Sequence, residues 1–183
     1  MPIFGVTASS NMSTKLTDFF QIATTTATGS TADVTFSSIS QDYTHLQLRM
    51  IIKNHTASTN QTRIQFNSDT ASNYSWHSMG ATYETTGGGS GVTQAHIHIG
   101  NHPSSSVTST FGVFIVDILD YKNTNKYKTT RTIRGTSLNN TDSNIEIRSG
   151  SWRNTAAIST IRIFPGADTF GQYSSFALYG VKA

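Results

Sequence analysis

The chain has 183 residues, of which only 13 % are charged, with a formal net charge of +3 and no cysteine. That length fits one domain with a single substantial core, and without cysteine no disulfide framework supports it. The thirteen basic residues are scattered, so the concentrated basic stripe of a nucleic-acid binder is missing, and no apolar run approaches the roughly 18 residues of a membrane-spanning helix. Ser and Thr make up roughly 30 % of the chain, far above ordinary usage. Few Leu and Glu, with many Thr, Ile and Val, oppose helices and favour pleated sheet. The expectation is an all-β protein.

In chain order, residues 1–15 hold one apolar cluster, Ile3, Phe4 and Val6, followed by a Ser/Asn/Thr run. They read as an extended N-terminal arm whose apolar cluster docks on a neighbouring subunit; MPIFGVTASS has no basic n-region followed by a long apolar run, so no standard secretion signal is expected. Residues 16–183 read as one domain. Strand patterns follow at 18–25, 33–39, 43–53, 62–67, 74–84, 92–99, 110–121, 126–136, 144–149, 157–164 and 174–181, separated by turn clusters such as Thr28-Gly29-Ser30 and Asn123-Thr124-Asn125. Gly87 to Gly91 reads as a flexible hairpin tip, and the last two strands as a pair meeting around the corner at Pro165-Gly166. Many short strands with polar connections predict an antiparallel β-sandwich, jelly-roll-like in character.

The stretch Thr110 to Tyr121 has apolar residues on both faces: Phe111, Val113, Ile115 and Leu119 on one, Phe114, Val116 and Ile118 on the other. A sheet in a two-layer fold normally turns one face to water, so a doubly apolar strand predicts a second cover. Phe114, Val116 and Ile118, with Ile3, Phe4 and Val6, are the expected partner interface.

Candidate chemistry is sparse. His96 and His98 alternate on one strand and are candidate metal ligands, with His102 nearby, but no carboxylate follows to complete a shell of three or four; neither metal nor cofactor is expected. Asp117 interrupts an apolar strand and reads as structural, bonded to backbone, Ser/Thr or an Arg. There are only two Glu, Glu84 and Glu146, and no nucleophile elbow or phosphate-binding loop, so no enzyme is expected. Lys122, Lys126, Lys128, Arg131 and Arg134 gather around one hairpin, mostly as the wet side of a strand. Tyr74, Trp76, Tyr83 and Trp152 lie beside polar loops; Tyr74 and Trp76 are the candidates for stacking on a sugar ring.

Several stretches together carry a resemblance: VTFSSISQDYTHLQLR from Val34, FNSDTASNYSWH from Phe66, FGVFIVDILDYKNTNKYKT from Phe111, and SGSWRNTAAISTIRIFPGADTFGQYSSFALYGVK from Ser149 to Lys182. Over about Asp18 to Lys182 the chain resembles a group of tailed-bacteriophage virion proteins in which this β-rich module occurs alone or at the end of longer tail proteins. The resemblance implies a virion structural protein assembled in the host cytoplasm, and brings no catalytic residues. The module standing with only a short arm suggests a capsid decoration (cement) protein. Its expected partners are other virion proteins, above all the major capsid protein, and further copies of itself, with a trimer favoured. The alternative is a tail fibre or spike component that recognises host glycans. No membrane and no direct nucleic-acid contact is expected.

Overall fold

The computed structural model describes residues 18–82, 85–106, 109–138 and 143–182. The expected arm, with Ile3, Phe4 and Val6, lies outside them, as do Tyr83 and Glu84. The described chain is all-β: β1 Phe19–Thr26, β2 Val34–Phe36, β3 His45–Ile52, β4 Asn60–Phe66, β5 Tyr74–Thr82, β6 Thr85–Gln94, β7 Ile97–His102, β8 Gly112–Leu119, β9 Lys128–Thr136, β10 Asn144–Trp152, β11 Ile161–Pro165 and β12 Ser175–Val181. They form two antiparallel sheets, one of eight strands in the order β1-β12-β3-β8-β9-β10-β5-β6 and one of four in the order β2-β11-β4-β7.

The first four strands of the large sheet, β1-β12-β3-β8, facing β2-β11-β4-β7, have the strand order of an eight-stranded jelly roll. Two further hairpins are spliced into that frame. β5 and β6 lie between β4 and β7 in sequence, β9 and β10 between β8 and β11, and the two hairpins join edge to edge along the β10–β5 register from Asn144 opposite Thr82 to Trp152 opposite Tyr74. They extend the large sheet beyond the area that the small sheet covers.

Period-two alternation explains the core of the jelly-roll half. Leu46, Leu48, Met50 and Ile52 of β3, Phe114, Val116 and Ile118 of β8, and Phe176 and Leu178 of β12 all point inward and are buried against Ile64, Phe66, Ile161 and Ile163 of the small sheet. This corrects the expected interface: Phe114, Val116 and Ile118 are the core face of β8, and Val113, Ile115 and Leu119 are the face turned to solvent. Both sets are apolar, and the alternation separates them without stating which is inside.

Two other expectations change. β11 and β12 do not pair around Pro165; β11 bonds to β2 and β4 while β12 bonds to β1 and β3, so the intervening segment crosses from one sheet to the other. The glycine run is not a hairpin tip but part of β6, paired with β5 through Gly91 opposite Trp76, Gly89 opposite Ser78 and Gly87 opposite Gly80. Where the small sheet ends, β7 rests on β10 at Gly150; a Cβ there would stand 2.5 Å from both Ile97 Cγ2 and Thr130 Oγ1, so only glycine permits this approach.

Candidate functional site

In β9 and most of β10 the usual polarity of a sheet is reversed. β9 turns Lys128, Thr130, Thr132, Arg134 and Thr136 inward, and β10 turns Glu146 and Arg148 inward, while Ile133, Ile145 and Ile147 face outward. The registers align the outward residues across strands. One row runs Met79, Ile147, Ile133, Ile115 and Arg49; the next runs Ala81, Ile145, Gly135, Val113 and Ile51. Met79 is 68 % exposed, Ile145 61 %, Ile147 50 % and Ile133 47 %. An aliphatic stripe thus crosses the outer face of the large sheet from β5 to β3.

A polar row bounds the stripe on one side: His77, Ser149, Arg131, Asp117, Gln47 and Tyr179. Its charges are matched, since Arg131 Nη2 lies 2.7 Å from Asp117 Oδ2 and Gln47 Nε2 donates to Asp117 Oδ1 at 2.8 Å. Asp117 therefore has the structural role expected of it. At the far end the Arg49 guanidinium stacks over Phe19 and Tyr179, 5.1 and 4.9 Å from their ring centroids.

Beneath this face the inward polar side chains are tied into networks. Lys128 is fully buried, with Nζ donating to the carbonyls of Asn123, Lys126 and Thr155 at 2.5, 3.0 and 3.0 Å; burial lowers its pKa. Glu146 bridges Arg134 at 2.7 Å and Arg148 at 2.6 Å. Burial alone would raise the Glu146 pKa, but the hydrogen bonds and charges of Arg148 and Arg134 outweigh it and hold the carboxylate below its usual range. The basic cluster read from sequence is consequently dispersed. Lys128 and Arg134 are internal, Lys126 and Arg131 pair with Asp120 and Asp117, and Lys122 donates to the Gln41 carbonyl.

The part of the inner face not roofed by the small sheet forms an open cleft of about 450 Å³ lined by Trp76, Ser78, Arg134, Glu146, Arg148 and Gly87 to Gly89 of β6. Of the two glycan candidates, Tyr74 is corrected by its burial. It is fully enclosed, stacked on Trp152 with centroids 6.2 Å apart, and its hydroxyl accepts from the Phe66 N–H at 3.1 Å and donates to the Asp69 carbonyl at 3.0 Å. Trp76 does line the cleft, but the Arg148 guanidinium stands 5.0 Å over its ring and His98 packs edge-on at 5.0 Å.

The two candidate metal ligands do not converge. His98 accepts from Arg148 Nη1 at its Nδ1 (2.9 Å), which leaves Nε2–H to donate to Asn101 Oδ1 at 3.0 Å. Both ring nitrogens are engaged, and burial, then the Arg148 charge, pushes the pKa down to about 4. His96 instead packs against Phe164, 6.1 Å between centroids, with its pKa lowered to about 4 by burial and by Arg63. His102 is buried between Thr62 (2.8 Å) and Asn54 (3.3 Å), and burial and Arg134 lower its pKa to about 3. Among the described residues no group of three or more His, Asp or Glu is placed to hold a metal ion.

The residues that define the outward stripe, Met79, Ile133, Ile145 and Ile147, were not singled out by sequence. The only signal for the three isoleucines is the alternation TIRG and NIEIR, in which an apolar residue is ordinarily assigned inward. Comparison with protein-family models, with curated proteins and with solved structures finds no match for this chain.

Proposed function

We propose that this chain is a structural protein of a bacteriophage virion, a decoration protein that seats on the outer capsid surface and stabilises the shell. The observation that carries the structural reading is the reversed polarity of β9 and β10, which buries charged side chains and leaves aliphatic ones on a solvent face. Burying Glu146 with two arginines has a desolvation cost that an ordinary soluble monomer avoids by exchanging the faces; the arrangement is favourable once the outer face is covered in an assembly. The virion assignment is supported by the resemblance of the segments starting at Val34, Phe66, Phe111 and Ser149. The expected partner is the major capsid protein, contacted by several copies at once, so that bound copies shift shell stability by mass action and multivalency.

Imaging of purified particles tests the reading. Density for this fold is expected at regular positions on the head, and particles assembled without the protein are expected to lose DNA at lower temperature than complete ones. Density confined to the tail, or equal heat resistance of the two particles, overturns it.

A further inference from the structure

The outward stripe has a shape that suggests its occupant. At these exposures its aliphatic side chains present on the order of 600–700 Å², at or above the ~300–600 Å² of the largest patch usual on a monomer. That is most of the ~800 Å² each partner contributes to a standard interface. The relief is not uniform. Gly135 lies between Val113 and Ile145 in its row, and a Cβ there would meet nothing nearer than the Asn144 carbonyl oxygen at 3.8 Å. The centre of the face is therefore a shallow socket, flanked one row away by the projecting Ile133 and Ile147.

We infer that this face is covered by the same face of a second copy of the chain, in a two-fold dimer built sheet on sheet. The inference rests on the reading that the stripe is an assembly surface, and names what covers it. Stacked sheets pack about 10 Å apart with their strands within about 30° of one another, and a two-fold axis near Gly135 seats an isoleucine of each copy in the other's socket. Such an isologous contact is closed with two subunits, so a dimer replaces the trimer expected from sequence. The chemistry of the face favours a like surface over other partners. The stripe is aliphatic at its centre, the boundary charges Asp117 and Arg131 already neutralise each other, and the remaining cation, Arg49, stands at the β3 end of its row, stacked over Phe19 and Tyr179.

The test is sedimentation of the full chain at micromolar concentrations. A dimer is expected. Ile133→Lys and Ile147→Lys are each expected to weaken it by roughly 100-fold or more, while circular dichroism and amide-shift dispersion stay native because both side chains are solvent-exposed in the monomer. Gly135→Val fills the socket and is expected to weaken association by roughly 10-fold, whereas Ile133→Val leaves it intact. A monomer, a trimer, or a dimer indifferent to all three disruptive changes overturns the inference. A monomeric full chain that associates only in the Ile3→Asp, Phe4→Asp variant also overturns it, assigning the cover to the chain's own first residues. If the face is instead protected from hydrogen exchange only when capsids are added, the self-pairing fails and the virion role stands. If the chain dimerises through this face but never binds particles, the self-pairing stands and the virion role fails.

Discussion

The two halves of the eight-stranded sheet follow opposite rules. In β1-β12-β3-β8 the inner face carries Leu46, Leu48, Phe114, Val116, Phe176 and Leu178 and is roofed by the small sheet. In β9-β10-β5-β6 the inner face carries Lys128, Arg134, Glu146 and Arg148, and the aliphatic residues look outward. The backbone ladder is continuous through both halves, from Ile115 opposite Ile133 to Ile147 opposite Met79. Secondary structure is therefore indifferent to the reversal, and what differs is which face has a cover. The jelly-roll half obtains its stability from an internal apolar core. Apart from Tyr74 and Trp152, which join that core at the ends of β5 and β10, the added half holds its interior with hydrogen bonds and ion pairs and leaves its aliphatic surface exposed.

Substitutions of increasing subtlety separate these rules. The largest effect is expected in the jelly-roll core: Phe114→Ala leaves a cavity under the small sheet and lowers unfolding free energy by about 3–5 kcal/mol in urea denaturation. A loss under about 1 kcal/mol would mean that β8 does not anchor the core. Next, Glu146→Ala leaves Arg134 and Arg148 buried without their carboxylate, and a loss of about 3 kcal/mol is expected. If the loss is negligible, the polar interior of the added half carries no stability and the contrast fails.

Acid gives the third test. His98 and His102 are held neutral when folded, with pKa values near 4 and 3, while in the unfolded chain each titrates near its ordinary ~6.5. Below about pH 6.5 the unfolded state binds more protons, so the stability from these groups is complete above that pH and is lost as pH falls toward 4. The slope reaches at most about 1.4 kcal/mol per pH unit per group, and a fall of about 1–3 kcal/mol between pH 6 and pH 5 is expected. In His98→Gln the dependence flattens; an unchanged pH profile there would mean that His98 does not contribute to it. Smallest is the outward face. Ile147→Ser, measured at concentrations low enough to keep the chain monomeric, is expected to change stability by no more than about 0.5 kcal/mol. A larger loss would show that the stripe supports the monomer itself.

Much of the framework was legible in the residues. The strands at 43–53, 110–121 and 126–136 stand out because β-branched and aromatic residues alternate between Gly, Asn and Asp breaks, and the two-sheet class followed from their number and spacing. The structural role of Asp117 was legible because a carboxylate in an apolar strand needs a partner. The β6 strand was not, because its glycines lack side chains to pack; its register is imposed by the N–H and C=O groups of β5. The candidate Tyr74 failed on burial, since aromatics that close a sandwich edge have the same local sequence as aromatics that greet a ligand; Trp76 lines the cleft under the Arg148 guanidinium.

What the sequence by itself determined is periodicity: which residues share a face of each strand, and that the chain makes sheet rather than helix. Which of the two faces is inside was decided only by the tertiary structure. Alternation is symmetric under exchange of faces, so Phe114 and Ile115, or Glu146 and Ile147, are told apart only when a second sheet arrives on one side. In this chain the four-stranded sheet is too narrow to cover eight strands, and aliphatic residues remain exposed on the outer face of the large sheet.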